Sequence, residues 1–401
     1  MRAAMKSAVL ALWGGLPSQF WLLWTGILIN RIGGFVLPLL ALYLSRRGLA
    51  PEQVGFTVAL FGVGNVVGSQ MGGILADRIG RRRMLLLGLC TGALAMLALG
   101  FAERPVAVAV CTLALGLFGE SHRPAMQAMI ADLVSPADRA RAYGLVYWAL
   151  NFGFAVAVML AGLLVKASYW LLFVGDATGT LAYAAVVLLA LKETRPLAIA
   201  ERASLRSTLA PLRDHAFLAF WILTLATGGT FLQTFVSLPL AMKGDGLSPA
   251  TFGRVLAING ILIVLVQPWA APLLARLRRS TVMACGAALI GIGLGATALA
   301  HSPGTYSLTV VIWSLGEIAV LPTSAAVIAD LAPANLRGTY QGAYNLAWAV
   351  SWVVGPIFGT QVFGRFGRGL WAVCFGLSFL VAVGHLAIAD ARRRRLAVVT
   401  D

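Results

Sequence analysis

Twelve apolar runs, each long enough to cross a bilayer, dictate what this 401-residue chain can become. They lie at about 20 to 44, 52 to 75, 84 to 102, 105 to 131, 142 to 165, 169 to 191, 216 to 242, 250 to 275, 282 to 300, 305 to 329, 339 to 363 and 370 to 389. In hydrocarbon every backbone N–H and C=O must be satisfied within the spanning structure, which leaves helices or closed barrels. Runs this continuous lack the alternation of barrel strands. The expected fold is an all-α membrane protein of twelve transmembrane helices. Only 11% of the residues are charged, against roughly 25% in soluble domains. Little chain remains for a soluble catalytic domain, and no enzyme is expected.

A net charge of +16 would point to nucleic acid in a soluble protein. Here the basic residues cluster between the runs, as they do when Lys and Arg set membrane orientation, so no nucleic-acid partner is expected. With the N-terminus inside, 21 of the 31 fall in inner connections and 7 in outer ones; Arg31, Arg123 and Arg254 lie within runs. The bias places both termini in the cytoplasm, across a cell membrane, and an even number of spans satisfies it. Cys90, Cys111, Cys285 and Cys374 stand singly in apolar runs, with no spacing for a metal or disulfide framework. No cofactor is expected. Arg2 and Lys6 precede a short apolar piece at 7–16, but no convincing cleavage site follows, so a cleaved signal peptide is not expected.

The longest polar connection divides the runs six and six, giving an N-terminal half at 1–191, a cytoplasmic linker at 192–215 and a C-terminal half at 216–401. The halves carry a weak repeat. Gly119-Glu120 matches Gly316-Glu317, Ala131-Asp132-Leu133 matches Ala329-Asp330-Leu331, and Tyr143 and Tyr147 match Tyr340 and Tyr344. Six spans per unit preserve orientation, the parallel-repeat pattern of one transporter class.

Between the second and third runs stands Gly72-Gly73-Ile74-Leu75-Ala76-Asp77-Arg78-Ile79-Gly80-Arg81-Arg82-Arg83. Glycines allow close helix approach and a tight turn, Asp77 can cap a helix or pair with a cation, and the arginines suit the inner leaflet. This loop resembles the signature G-x-L-a-D-r-x-G-r-[rk] of the major facilitator superfamily. The resemblance implies two pseudo-symmetric six-helix halves, a cytoplasmic gate at Asp77, Arg78 and Arg81, and a central cavity lined by spans 1, 4, 7 and 10. A purely topogenic loop is the competing reading. The corresponding place in the second half, Ala275-Arg276-Leu277-Arg278-Arg279, lacks the aspartate. An asymmetric gate is expected.

Ionisable groups inside a membrane cost at least about 2.5–3.5 kcal/mol each, so each is a functional candidate. They are Arg31, Glu120, His122, Arg123, Asp176, Glu317 and, near an outer end, Arg254. Glu317 sits mid-span with no cation within a helical turn, which suits a proton carrier; a carboxyl hydrogen-bonded to a neighbouring helix is the alternative. Glu120 and Arg123 share a helix face, as a self-neutralising pair or as cavity groups, and Glu120 is a second proton-coupling candidate. Arg31 needs a partner from another helix, with Glu120 expected, or it binds an anionic substrate. His122 reads as structural, and Asp176 as a packing residue bonded to a Ser or Thr hydroxyl.

Gly144 and Gly153 match the start of the antiporter signature G-x8-G-x3-G-P-x2-G-G, but Ala157, Val158 and Ala161 depart from the rest. The stretches Pro124 to Asp132 with Arg139, Tyr147-Trp148-Ala149-Leu150-Asn151, and Leu315-Gly316-Glu317-Ile318 with Pro322 look like multidrug/proton antiporters of the LmrP type. In that pattern an acid precedes the Tyr-Trp pair; here Val146 does. The resemblance implies proton-coupled efflux of lipophilic or cationic drugs by alternating access. Arg31, Glu120, Arg123, Tyr147, Trp148, Asn151, Gln233 and Tyr344 are the cavity candidates. A proton-linked transporter of a specific polar metabolite, a lipid translocator and a non-transporting scaffold are the alternatives. No G-x4-G-K-[ST] loop occurs, so ATP is not the direct energy source. The expected partners are a small-molecule substrate, protons and membrane lipids, and the expected state is a monomer.

Overall fold

The computed structural model describes residues 14–136, 138–194, 210–333 and 336–389. Within them run twelve apolar helical spans: α1 (Ser18–Arg46), α2 (Pro51–Ile79), α3 (Arg81–Phe101), α4 (Pro105–Leu133), α5 (Arg141–Ala167), α6 (Trp170–Ala190), α7 (His215–Gly244), α8 (Pro249–Leu274), α9 (Arg279–Leu299), α10 (Pro303–Leu331), α11 (Thr339–Phe366) and α12 (Gly369–Ala387). Each falls on one apolar run of the sequence, and no strand occurs among the described residues. Arg2, Lys6, residues 195–209 of the 192–215 connection and the basic residues 392–395 lie outside them. Successive spans reverse direction, so the start of α1 and the end of α12 share one face, called here the terminal face; the other is the distal face.

Three spans are broken: the first, the fourth and the seventh. In α1, helix Ser18–Ile32 stops at Gly33-Gly34 and restarts as Val36–Arg46. A restarted helix exposes amides with no partner of its own. Asp176 of α6, buried, supplies the acceptor: the Val36 N–H donates to Oδ2 at 3.1 Å. The sequence pointed to a hydroxyl partner for Asp176; the break supplies amides instead, where a carboxylate also meets the positive end of the helix dipole. Asn30 Nδ2 donates to Thr180 Oγ1 at 2.9 Å on the same interface. In α4, helix Pro105–Gly119 stops and Arg123–Leu133 begins, with Pro124 in the first turn, where its missing N–H costs nothing. His122 donates from Nδ1 to the Gly119 carbonyl across the break at 2.8 Å. In α7, helix His215–Phe231 passes through a 3-10 turn, Leu232–Thr234, into Ser237–Gly244.

Small residues set how closely the helices approach. On α2, Gly64, Gly68 and Gly72 recur every fourth residue, and a Cβ at each would strike the backbone of α4 at Leu113, Leu117 and Ser121. This ridge binds helices within the first six spans. A second set joins the first six spans to the last six. A Cβ on Gly62 of α2 would lie 2.6 Å from the Trp352 carbonyl oxygen on α11, and one on Gly260 of α8 would lie 2.7 Å from that of Asn151 on α5. Gly55 meets Pro356 and Thr360, and Gly253 meets Val158, nearer still to the distal face. Phe61 against Trp352 and Phe154 against Phe235 add edge-to-face rings at 5.7 and 5.9 Å. At the distal rim Lys243 Nζ donates to Ser45 Oγ at 2.8 Å. The two groups of six are thus drawn together on the distal side.

Candidate functional site

Glu317 lies near the middle of α10 and is 6% exposed. Asn259 of α8 donates from Nδ2 to Glu317 Oε2 at 2.6 Å and lies 3.0 Å from Ser314 Oγ. The close packing of Gly316 against α9 seats this stretch of α10. One strong neutral donor and, among the described residues, no paired cation is an arrangement in which a carboxyl can exchange a proton without breaking an ion pair. Tyr147 of α5 stands within the field of Glu317, across the boundary between the two groups of six. Its hydroxyl is buried with no hydrogen-bond partner among the described residues, as is the Trp313 indole N–H one turn before Glu317. Asn259 and Ser314 escaped the sequence reading. The signal available was a lone Asn in an apolar run, 58 residues from its partner.

The other candidates divide into separate surroundings. Asn151 donates to the Tyr147 carbonyl in its own helix at 2.9 Å. Trp148 stacks between Trp24 and Phe152, and Tyr344 stacks on Phe220, so flat aromatic faces line α5 and α11. Gln233, 2% exposed, is placed in the joint between α7 and α11. Its Nε2 donates to the Gly229 and Gly355 carbonyls at 2.9 Å, and its Oε1 accepts from Ser237 Oγ at 2.7 Å. This leaves it little capacity for a ligand.

Arg31 does not bond Glu120. Its Nε donates to the Leu150 carbonyl at 3.4 Å, and its guanidinium lies 5.3 Å from the centre of the Phe154 ring, a cation–π contact. The reason lies in Glu120, whose carboxylate is taken by Arg123 on the next turn, Nε to Oε2 at 2.5 Å. Arg31, Glu120, Arg123 and Asp176 still share one electrostatic neighbourhood. Glu317 is not among the charges that act on Arg31. Replacing Arg123 alone by Gln strands the Glu120 charge, whereas Glu120→Gln/Arg123→Gln leaves two neutral groups. The double variant should unfold at the higher temperature, by about 1 kcal/mol or less because Arg123 is half exposed. Wild-type binding of cationic ligands by the double variant would remove Glu120 from the substrate site.

At the terminal face Arg81 joins three elements. It reaches Asp77 at 2.6 Å, the Ala76 carbonyl at 3.0 Å and Asp132 of α4 at 3.5 Å, while Glu193 accepts the Arg81 N–H at 2.8 Å and caps α3. Gly80, at φ 101°, makes the turn that only glycine takes readily. Arg279 pairs with Asp330 at the matching place in the second half and also donates to the Ala326 carbonyl at 2.8 Å. The expected asymmetry is therefore partial: Asp77 has no counterpart, but each half has an arginine opening one span held by an aspartate of the next.

At the distal face a clasp absent from the sequence reading ties three connections. Arg368 donates to both carboxylate oxygens of Asp245, at 2.7 and 2.5 Å, and to the carbonyls of Thr297, Ala298 and Ala300; the Tyr306 hydroxyl donates to Asp245 at 2.7 Å. Burial pushes the Asp245 carboxyl up, but the bonds from Arg368 and Tyr306 outweigh it and hold the group below its ordinary value. A depressed carboxylate adds stability above the unfolded value of about 3.9 and loses it as pH falls through the folded one. Asp245→Asn should lower the melting temperature at pH 7, and the gap from wild type should close below about pH 4.

Twelve spans with broken first, fourth and seventh helices and a buried acid in the tenth are the layout of a secondary transporter. The chain belongs to the Major Facilitator Superfamily, whose profile matches residues 23–356 and 234–397, and it is a multi-pass membrane protein. It is 25% identical to the uncharacterized MFS-type transporter YttB of Bacillus subtilis (strain 168), over 94% of this chain and 96% of that one. It is 24% identical to a Na(+), Li(+), K(+)/H(+) antiporter of Planococcus maritimus, covering 89% and 92%. It is also 24% identical to the multidrug resistance protein MdtH of Escherichia coli (strain SE11), covering 83% of each. Among solved structures, a POT family transporter in complex with 5-aminolevulinic acid superposes with a TM-score of 0.80 at 15% identity, over 95% of this chain and 98% of that one. The nucleoside transporter NupG superposes with a TM-score of 0.77 at 16% identity, covering 92% and 99%.

Proposed function

We propose that this chain is a proton-coupled exporter of lipophilic or cationic small molecules, working by alternating access in the cell membrane with both termini in the cytoplasm. The observation that carries the reading is Glu317, a buried mid-membrane carboxyl held by the neutral donor Asn259 beside the aromatic walls of α5 and α11. An acid that must load and unload a proton suits a donor it need not surrender, and flat rings suit ligands without a fixed hydrogen-bond pattern. Relatives named multidrug resistance proteins support the same reading. Closure at the distal side with Arg81 holding Asp77 is the state open to the cytoplasm, and Asp77, Arg78 and Arg81 form the gate on that side. In the opposite state Asp77 turns to the facing helix ends.

A test is proton release from purified protein in weak buffer, over a panel of lipophilic cations, neutral drugs, dipeptides, nucleosides and Na⁺ or K⁺ salts. Acidification by lipophilic cations is expected. A response to the metal salts alone would favour inorganic cation exchange, the activity named for the Planococcus relative. A response to dipeptides or nucleosides alone would replace drug export by carriage of a polar metabolite.

A further inference from the structure

Of the seven basic residues expected in outer connections, three converge on one cavity, against the orientation rule that keeps such connections poor in Lys and Arg. The cavity, of about 480 Å³, opens on the distal face where α1 and α5 end and α6 begins. Arg46, Arg47 and Lys166 line it with Ser168, Tyr43 and Tyr169. The two guanidiniums are exposed but each is held against a ring: Arg46 lies over the Tyr169 ring at 4.9 Å and Arg47 over the Tyr43 ring at 5.1 Å. Arg47 also donates to the Glu103 carbonyl at 3.2 Å, which fixes its plane without neutralising it.

Among the described residues no carboxylate pairs with these three cations. The contrast on the same face is sharp, since Arg368 is fully engaged by Asp245 and Lys243 by Ser45. Three like charges around one cavity repel one another, and an oxyanion is the ligand that relieves the repulsion. Stacked guanidiniums keep their N–H edges for forked bonds to a tetrahedral anion, and Lys166 and Ser168 supply further donors.

We propose that this cavity binds a phosphate group. A phospholipid headgroup of the adjacent leaflet and a soluble phosphate present the same chemistry to it. Because the cavity sits at the ends of spanning helices, occupancy would brace the loop between α5 and α6 beside the Ser45–Lys243 contact and favour the closed distal mouth.

Two probes separate the sources, both applied to the full chain in neutral detergent. One is dioctanoyl phosphatidylglycerol, read as retained adducts by native mass spectrometry; the other is inorganic phosphate, read by thermal shift. Arg46→Gln/Lys166→Gln is compared with Arg104→Gln/Arg365→Gln, which removes the same charge from the same face. At least one probe should bind wild type and the control equally and bind Arg46→Gln/Lys166→Gln about tenfold more weakly, with added salt reducing the difference. Adducts without thermal shift identify the lipid; thermal shift without adducts identifies the soluble anion. If the double variant does not fold, Lys166→Gln, at an exposed position, carries the same expectation in direction. Equal weakening in the control, or no binding of either probe to wild type, would overturn the assignment.

Discussion

Glu317→Gln will reduce proton-driven export to the leak rate of empty vesicles while the protein still folds. Glutamine keeps the size of the side chain and an oxygen that accepts from Asn259 Nδ2, so the hydrogen bond at 2.6 Å survives in neutral form. What disappears is the ability to carry a proton at that depth. Glu317→Ala separates the two roles. It leaves the buried amide of Asn259 with Ser314 alone and should cost about 1–3 kcal/mol of stability in addition to abolishing transport. Proteoliposomes with an imposed pH gradient measure the first effect and thermal unfolding the second. Full gradient-driven export by Glu317→Gln would remove the carboxyl from the coupling mechanism.

A valine at Gly62 is expected to act on the conformational equilibrium and a valine at Gly68 on folding, although the two positions lie six residues apart on α2. The Gly62 Cβ would fall 2.6 Å from the Trp352 carbonyl oxygen, across the boundary between the two groups of six. Backbone on both sides cannot yield cheaply, and overpacking of this kind costs about 1–3 kcal/mol. That cost falls only on the state closed at the distal side, so Gly62→Val should shift the population toward the distal-open state by roughly tenfold to a hundredfold. Distances between spin labels at Glu103→Cys and Gly244→Cys, with the exposed Cys90 and Cys285 replaced by Ser, read the shift. At Gly68 the clash is with Leu117 on α4, inside the first six spans, and no state of the transporter relieves it. Gly68→Val should fail to accumulate as folded protein. Unchanged label distances in Gly62→Val would mean that the boundary does not rest on this contact.

The spans and the terminal-face loop were legible because each is written in consecutive residues: long apolar runs have one solution in a bilayer, and the Gly72 to Arg83 loop carries its turn and charges together. Glu317 stood out for the same local reason, an acid alone in apolar surroundings. Its partner did not. Whether Asn259 faces α10 or lipid depends on the rotation of α8, which the glycines at 253 and 260 set through contacts with α5. The Asp176 cap on α1 spans 140 residues, and it exists only because Gly33-Gly34 breaks the helix there. The Asp245 clasp draws on three connections that no periodicity links. Arg31 was paired with Glu120 on the strength of charge; a cation three residues from Glu120 on its own chain reached it first.

The seam at Gly55, Gly62, Gly253 and Gly260 also bears on insulation. A machine driven by a proton gradient is short-circuited by any thread of water that bridges its closed side, because protons hop along such threads far faster than cargo moves. Long side chains meeting end to end leave crevices as they fluctuate. Here Gly62, Gly253 and Gly260 face the main chain of Trp352, Val158 and Asn151 so closely that a Cβ would not fit, and the Phe61 and Trp352 rings meet edge to face at 5.7 Å, which leaves little of the roughly 10–15 Å³ that a water molecule needs. On the proposed proton-coupled reading, this seam is what keeps the distal side from leaking, and the Glu317 carboxyl is the group that would carry each proton past it.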